Sequence, residues 1–92
     1  MSGSILDNEK RCFLCGSTHW LEKHHIFGGA NRKKSDKYGL WVYLCHYCHN
    51  EPPKGVHHNA VNMLFLQKVG QDAFQKTYPN KDFLKEFGKN YL

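Results

Sequence analysis

The sequence predicts a small α+β domain: a two-stranded hairpin and a set of helices stapled by a metal. Three observations predict it. Four cysteines fall as two Cys-x-x-Cys pairs, two β-rich runs lie beside them, and the second half of the chain shows helical periodicity. With 92 residues there is room for one core, and a chain this short buries a limited fraction of its surface. A covalent or metal staple is the usual supplement at that size. No apolar run reaches the ~18–20 residues needed to span a bilayer, and no secretory signal pattern opens the chain. An intracellular, reducing setting is therefore expected, where thiolates ligate metals rather than pair as disulfides.

Taken in order, residues 1–10 lack periodicity and are expected to be a flexible lead-in to a single domain at 11–92. Residues 11–18 form the first knuckle, with Gly16 at its turn. Trp20 to Phe27 reads as a strand that ends at Gly28-Gly29, and residues 30–37 as a basic polar loop. Leu40 to Leu44, rich in β-formers, should pair with the first strand and leads straight into the second knuckle. The breakers from Glu51 to Gly55 stop any helix begun near Cys48. A helix then starts after Asn59, its N-cap, with Val61, Leu64, Phe65, Val69, Ala73 and Phe74 as the apolar face. Gly70 costs that helix about 1 kcal/mol and makes its continuity an open point. It ends at Tyr78-Pro79-Asn80, and residues 82–87 form a last short helix packed back on the core.

Cys12, Cys15, Cys45 and Cys48 have the spacing of a closed tetrahedral zinc site. The long spacer between the two pairs reads as an inserted functional segment. A redox role for either pair would need a thioredoxin-like βαβ context, which the pattern lacks. The formal charge is +5, and Arg32, Lys33, Lys34 and Lys37 crowd one stretch suited to phosphate contact. A zinc tetrathiolate is itself anionic, so the folded surface is less basic than the count.

Seven histidines occur, and their positions carry more than their number. His24 and His25 are adjacent on a strand, so their side chains point to opposite faces, and one can bind a metal while the other reaches substrate. His49 directly follows the zinc ligand Cys48, which restricts its direction. With His24 and one of His57 or His58 it can make a three-ligand site with open positions, as a catalytic metal requires. His19 and His46 read as solvent-facing or outer groups.

These residues, in this order, resemble an HNH endonuclease: Cys-x2-Cys, then His-His-Ile-Phe-Gly-Gly at 24–29, Leu-Cys-x2-Cys-His at 44–49, and Gly-Val-His-His-Asn at 55–59. The likeness is to the short members encoded by phages and prophages of Gram-positive bacteria, and it covers roughly residues 11–92. It implies a ββα-metal (His-Me finger) core stapled by the four-cysteine zinc site, with C-terminal helices. It also implies a DNA endonuclease of the bacterial cytoplasm, and a domain this small is expected to cut both strands as a homodimer or beside a phage protein partner. His25 is then the general base, and His24, His49 and His57 hold the catalytic ion, with His58 the alternative to His57. Imidazoles favour Zn2+ or Ni2+, with Mg2+ and Mn2+ also open as the working ion. The middle Asn of the family motif falls at Leu40, after Gly39, and Asn31, Asn50 and Asn59 are the available substitutes. The rival reading is a non-catalytic zinc-knuckle module that binds nucleic acid in a phage recombination or packaging complex.

Overall fold

The computed structural model describes residues 3–92. Two strands, β1 (Leu21–His25) and β2 (Trp41–Cys45), pair antiparallel, with Leu21 opposite Cys45, His24 opposite Val42 and His25 opposite Trp41. Among the described residues four helices accompany them: α1 (Arg32–Lys37), α2 (His46–Asn50), α3 (Ala60–Thr77) and α4 (Phe83–Phe87). Short 3-10 turns occupy Gly29–Asn31 and Val56–His58. The β1–β2–α2 succession is a ββα element within a small α+β domain. Among the described residues, no helix is long and apolar enough to cross a membrane.

β2 carries Trp41, Val42, Tyr43 and Leu44, which fit a pleated surface and are mostly buried. The connection between the strands differs from the expected loop. Residues 30–37 finish a 3-10 turn and then form α1. That helix has no apolar stripe to announce it, and its one buried residue is Ser35. The Ser35 hydroxyl accepts from the Phe27 N–H at 3.2 Å and donates to the Leu40 carbonyl, clasping the two ends of the connection.

The core joins Ile26, Phe27, Val42 and Leu44 to Leu66 and Phe74 of α3 and to Phe83 and Phe87 of α4. Phe74 is the hub of an aromatic cluster, with ring centroids of Tyr38, Tyr78, Phe83 and Phe87 between 5.2 and 5.6 Å away. α3 runs unbroken through Gly70. A Cβ there would lie 3.0 Å from Ile26 Cγ2 and 3.2 Å from the Phe27 ring, so glycine lets the helix rest directly on the chain leaving β1. That close approach turns α3 away from the expected face. Its buried positions are Leu66, Gly70, Gln71 and Phe74, while Val61, Leu64 and Phe65 are exposed, Val61 at 76%. Gln71 is buried because it bonds Asn90 and the Tyr91 N–H, each at 2.7 Å, fastening the C-terminal segment.

Asn59 caps α3 as expected, accepting from the Asn62 N–H at 3.0 Å. The lead-in, by contrast, is docked from Ser4 onward, and Met1 and Ser2 lie outside the described residues. The buried Ser4 hydroxyl donates to the Trp41 carbonyl at 2.6 Å, and the Ile5 N–H to the Gly39 carbonyl at 2.9 Å. Gly39 has φ +72°, and a Cβ on it would strike the Gly3 carbonyl at 2.5 Å.

Ser35→Ala removes the acceptor of a buried N–H. It is expected to lower stability by about 1–3 kcal/mol in urea unfolding with zinc content unchanged. An unmoved midpoint would show that the clasp carries no weight.

Candidate metal centres

The first knuckle is built by backbone bonds, Cys12 N–H to the Ser17 carbonyl at 2.7 Å and Gly16 N–H to the Cys12 carbonyl at 2.9 Å, around a left-handed Gly16. A bond from the Phe13 N–H to the Tyr43 carbonyl at 2.8 Å ties the knuckle to β2. Cys45 closes β2 and Cys48 sits in α2, so the second pair straddles the strand–helix corner. The sulfurs of Cys12, Cys15, Cys45 and Cys48 all lie within 4.8 Å of one another. Cys15 and Cys45 Sγ are 3.6 Å apart. A tetrahedral zinc with Zn–S bonds of ~2.3 Å has sulfur–sulfur edges of about 3.8 Å. Burial and the neighbouring sulfurs push the Cys48 thiol well up. Burial also works against Cys12, but backbone N–H groups of Cys45, Cys15 and Leu14 outweigh it and bring that thiol down to about 7. Four sulfurs so crowded ionise together only around a cation. The cluster fits a structural ion such as zinc.

A second cluster forms where β1 faces α2. Alternation puts Glu22 and His24 on the same side of β1. His24 is 3% exposed, and its Nε2 is a buried nitrogen with no hydrogen-bond partner among the described residues. Ligand nitrogens of His24, His49 and His57 all lie within 4.8 Å of one another, and the Nε2 atoms of His49 and His57 are 3.0 Å apart. Burial, then the neighbouring His49, His57 and His25, lowers His24 to about 3, so at neutral pH it is neutral and presents a lone pair. Burial chiefly, with His49 and His58, lowers His57 as well. An unpartnered buried nitrogen costs about 1–3 kcal/mol, and three convergent imidazoles are a donor set suited to a divalent ion. His57 reaches the cluster from the 3-10 turn that Val56 anchors in the core, and His58 stays outside it. Gly55 makes that turn possible, because a Cβ there would meet Glu51 backbone atoms at 2.6 and 2.7 Å.

Glu22 escaped the sequence reading, and it organises this cluster. Its Oε1 accepts from His49 Nδ1–H at 2.7 Å, leaving Nε2 for the cluster, and from Asn50 Nδ2 at 2.9 Å. Its Oε2 meets His46 Nδ1 at 3.2 Å, and His46 Nε2 meets Glu51 at 2.9 Å. The available signal was the two-residue step from Glu22 to His24 along one strand face.

His25 points the other way, toward α1. Its Nε2 lies 3.3 Å from Asp36 Oδ1, the same oxygen that Lys23 Nζ contacts at 2.6 Å. Burial is the main cause lowering His25, and Arg32 and Lys23 act with it, while Asp36 opposes them. A cavity of about 270 Å3 is bordered by His24, His25, Arg32, His49 and His57. A neighbouring one of about 440 Å3 is bordered by His25, Arg32, Lys33, Asp36 and Lys37. Lys34 instead donates to the Glu86 carbonyl at 2.6 Å. None of the three candidate asparagines braces His25: Asn31 bonds Phe87, Asn50 bonds Glu22, and Asn59 caps α3. Leu40 is fully buried, and Asp36 is the group that stands against His25.

Comparison with known proteins finds no matching family model, no matching curated protein and no matching solved structure. The case for function therefore rests on the two clusters and the surface around them.

Replacing Glu22 with alanine is expected to weaken binding of an exchangeable Ni2+ by about 10–100-fold in calorimetry, with the tightly held zinc retained. Equal Ni2+ affinity would mean that Glu22 does not orient His49.

Proposed function

We propose that the chain is a metal-dependent endonuclease of the HNH type that hydrolyses phosphodiester bonds in DNA, a phage or prophage product acting in the bacterial cytoplasm. In this reading β1, β2 and α2 are a ββα-metal core, and the four-cysteine site is its staple. One observation carries the proposal: the His24–His49–His57 cluster opens beside His25 and the basic residues of α1. A pure binding module has no use for three imidazoles that converge on one unpartnered buried nitrogen.

A divalent ion on His24, His49 and His57 would supply Lewis-acid stabilisation of the charge that develops on the phosphorane. The rest of the chemistry falls to the chain. His25, neutral at physiological pH, takes a proton from water as the water oxygen bonds to phosphorus. The bond from phosphorus to the 3′-oxygen then breaks, and its electron pair leaves with that oxygen. Asp36 holds the His25 ring by its Nε2 edge, so the other nitrogen is the one that accepts the proton. Arg32, Lys33 and Lys37 border the adjoining cavity and neutralise the flanking phosphates.

Supercoiled plasmid, incubated separately with Mg2+, Mn2+, Ni2+ and Zn2+, is expected to be nicked by the wild type. His25→Ala should slow nicking by about 10^2–10^4-fold with melting temperature and zinc content unchanged. Undiminished nicking by His25→Ala would remove the assignment of the base. Plasmid retention without nicking under every metal would instead leave the zinc-knuckle binding module.

A further inference from the structure

Trp20 and Tyr47 are large aromatic side chains that fold outward, 70% and 57% exposed, at the start of β1 and within α2. Their ring centroids are 6.0 Å apart with planes at 57°, forming an open corner rather than a closed stack. A cavity of about 470 Å3 is lined by these two rings with Leu21, Glu22 and His46. Trp20 has φ +52°, a left-handed conformation that strains a non-glycine backbone. Its carbonyl is pinned there by the His46 N–H at 3.0 Å. The chain thus keeps a strained backbone at a residue whose indole gains little burial in the fold.

We infer that the Trp20–Tyr47 corner receives an unstacked nucleobase of the strand being cut. This rests on the nuclease reading and narrows its substrate to DNA with unpaired bases near the scissile bond. The corner adjoins the histidine cluster through one side chain, because Glu22 lines the cavity and also holds His49. Trp20 lies four positions before His24 on the chain, roughly 14 Å in extended backbone and so a few nucleotides. The charges divide the strand's parts. Arg32, Lys33 and Lys37 serve phosphates beyond His25, whereas the cavity beside Trp20 has Glu22 on its wall and Glu51 bonded to His46. Carboxylates repel phosphate and leave a flat, uncharged ring as the matching partner. In a paired duplex that ring face is covered by its neighbours, so only an unpaired or displaced base can stack on Trp20.

Anisotropy of fluorescein-labelled dT16, against an abasic strand of the same length, tests this in buffer without added divalent ion and with the zinc-loaded chain. Wild type should bind dT16 about 5–150-fold tighter than the abasic strand, and Trp20→Ala should bind both alike. dT16 should also quench emission from exposed Trp20, whereas Trp41 is buried. Equal wild-type affinity for the two strands, or undiminished dT16 binding by Trp20→Ala, overturns the inference. If Trp20→Ala does not fold, Tyr47→Ala and the quench decide it by the same criteria. A wild type that prefers dT16 through Trp20 yet never nicks plasmid would refute the nuclease and keep the base site. A nicking wild type with no such preference would do the reverse.

Discussion

The register in which β1 meets β2 governs both candidate metal clusters at once. Leu21 pairs with Cys45, the cysteine that begins the second knuckle, and His24 pairs with Val42 three rungs further along. Strand side chains alternate, so this register sends Glu22 and His24 toward α2, and Lys23 and His25 toward α1. A slip of one residue would exchange the two histidines and bring His25 to the buried face beside His49. The register is held at one end by the cysteine knuckles and at the other by the Ser35 clasp between Phe27 and Leu40. An ion held by the four sulfurs would do more than staple a small domain. It would fix the corner from which α2 departs, and so the line along which His49 meets His24.

Electrostatics then separate the two sides of the strand. On the α2 side, burial keeps His24 neutral, and the Glu22 carboxylate selects which nitrogen His49 presents. On the α1 side, Asp36 balances Lys23 and Arg32 around a half-buried His25. One face is therefore arranged to bind a cation, and the other to accept a proton beside a cationic rim. In the proposed reading these would be the two requirements of phosphodiester hydrolysis, set back to back on a five-residue strand.

Much of this was legible in the sequence, where chemistry and spacing coincide. The cysteine pairs, the His24-His25 step, His49 after Cys48 and the Asn59 cap each depend on local pattern, and the structure brings together the four cysteines and, separately, His24, His49 and His57. What escaped depends on tertiary contact. α1 lacks an apolar stripe, so a run of cations looked like loop, and Ser35 acts through two backbone groups brought near only by folding. The buried face of α3 is chosen by the fit of Gly70 against Ile26 and Phe27, which no count of apolar residues ranks above Val61, Leu64 and Phe65. The docking of Ser4 on Trp41 likewise joins segments distant in the chain. Glu22 and Asp36 read as ordinary surface acids until their histidine partners are placed.

The most direct test of a catalytic site framed by a structural one is anomalous diffraction from crystals of the zinc-loaded chain soaked in Mn2+. Two peaks are expected. A zinc signal should lie among Cys12, Cys15, Cys45 and Cys48, and a manganese signal among His24, His49 and His57 with positions left open to solvent. A single zinc peak at the cysteines, with His24 Nε2 bonded to a protein group or covered by a repacked side chain, would contradict the reading of the second cluster as a metal site.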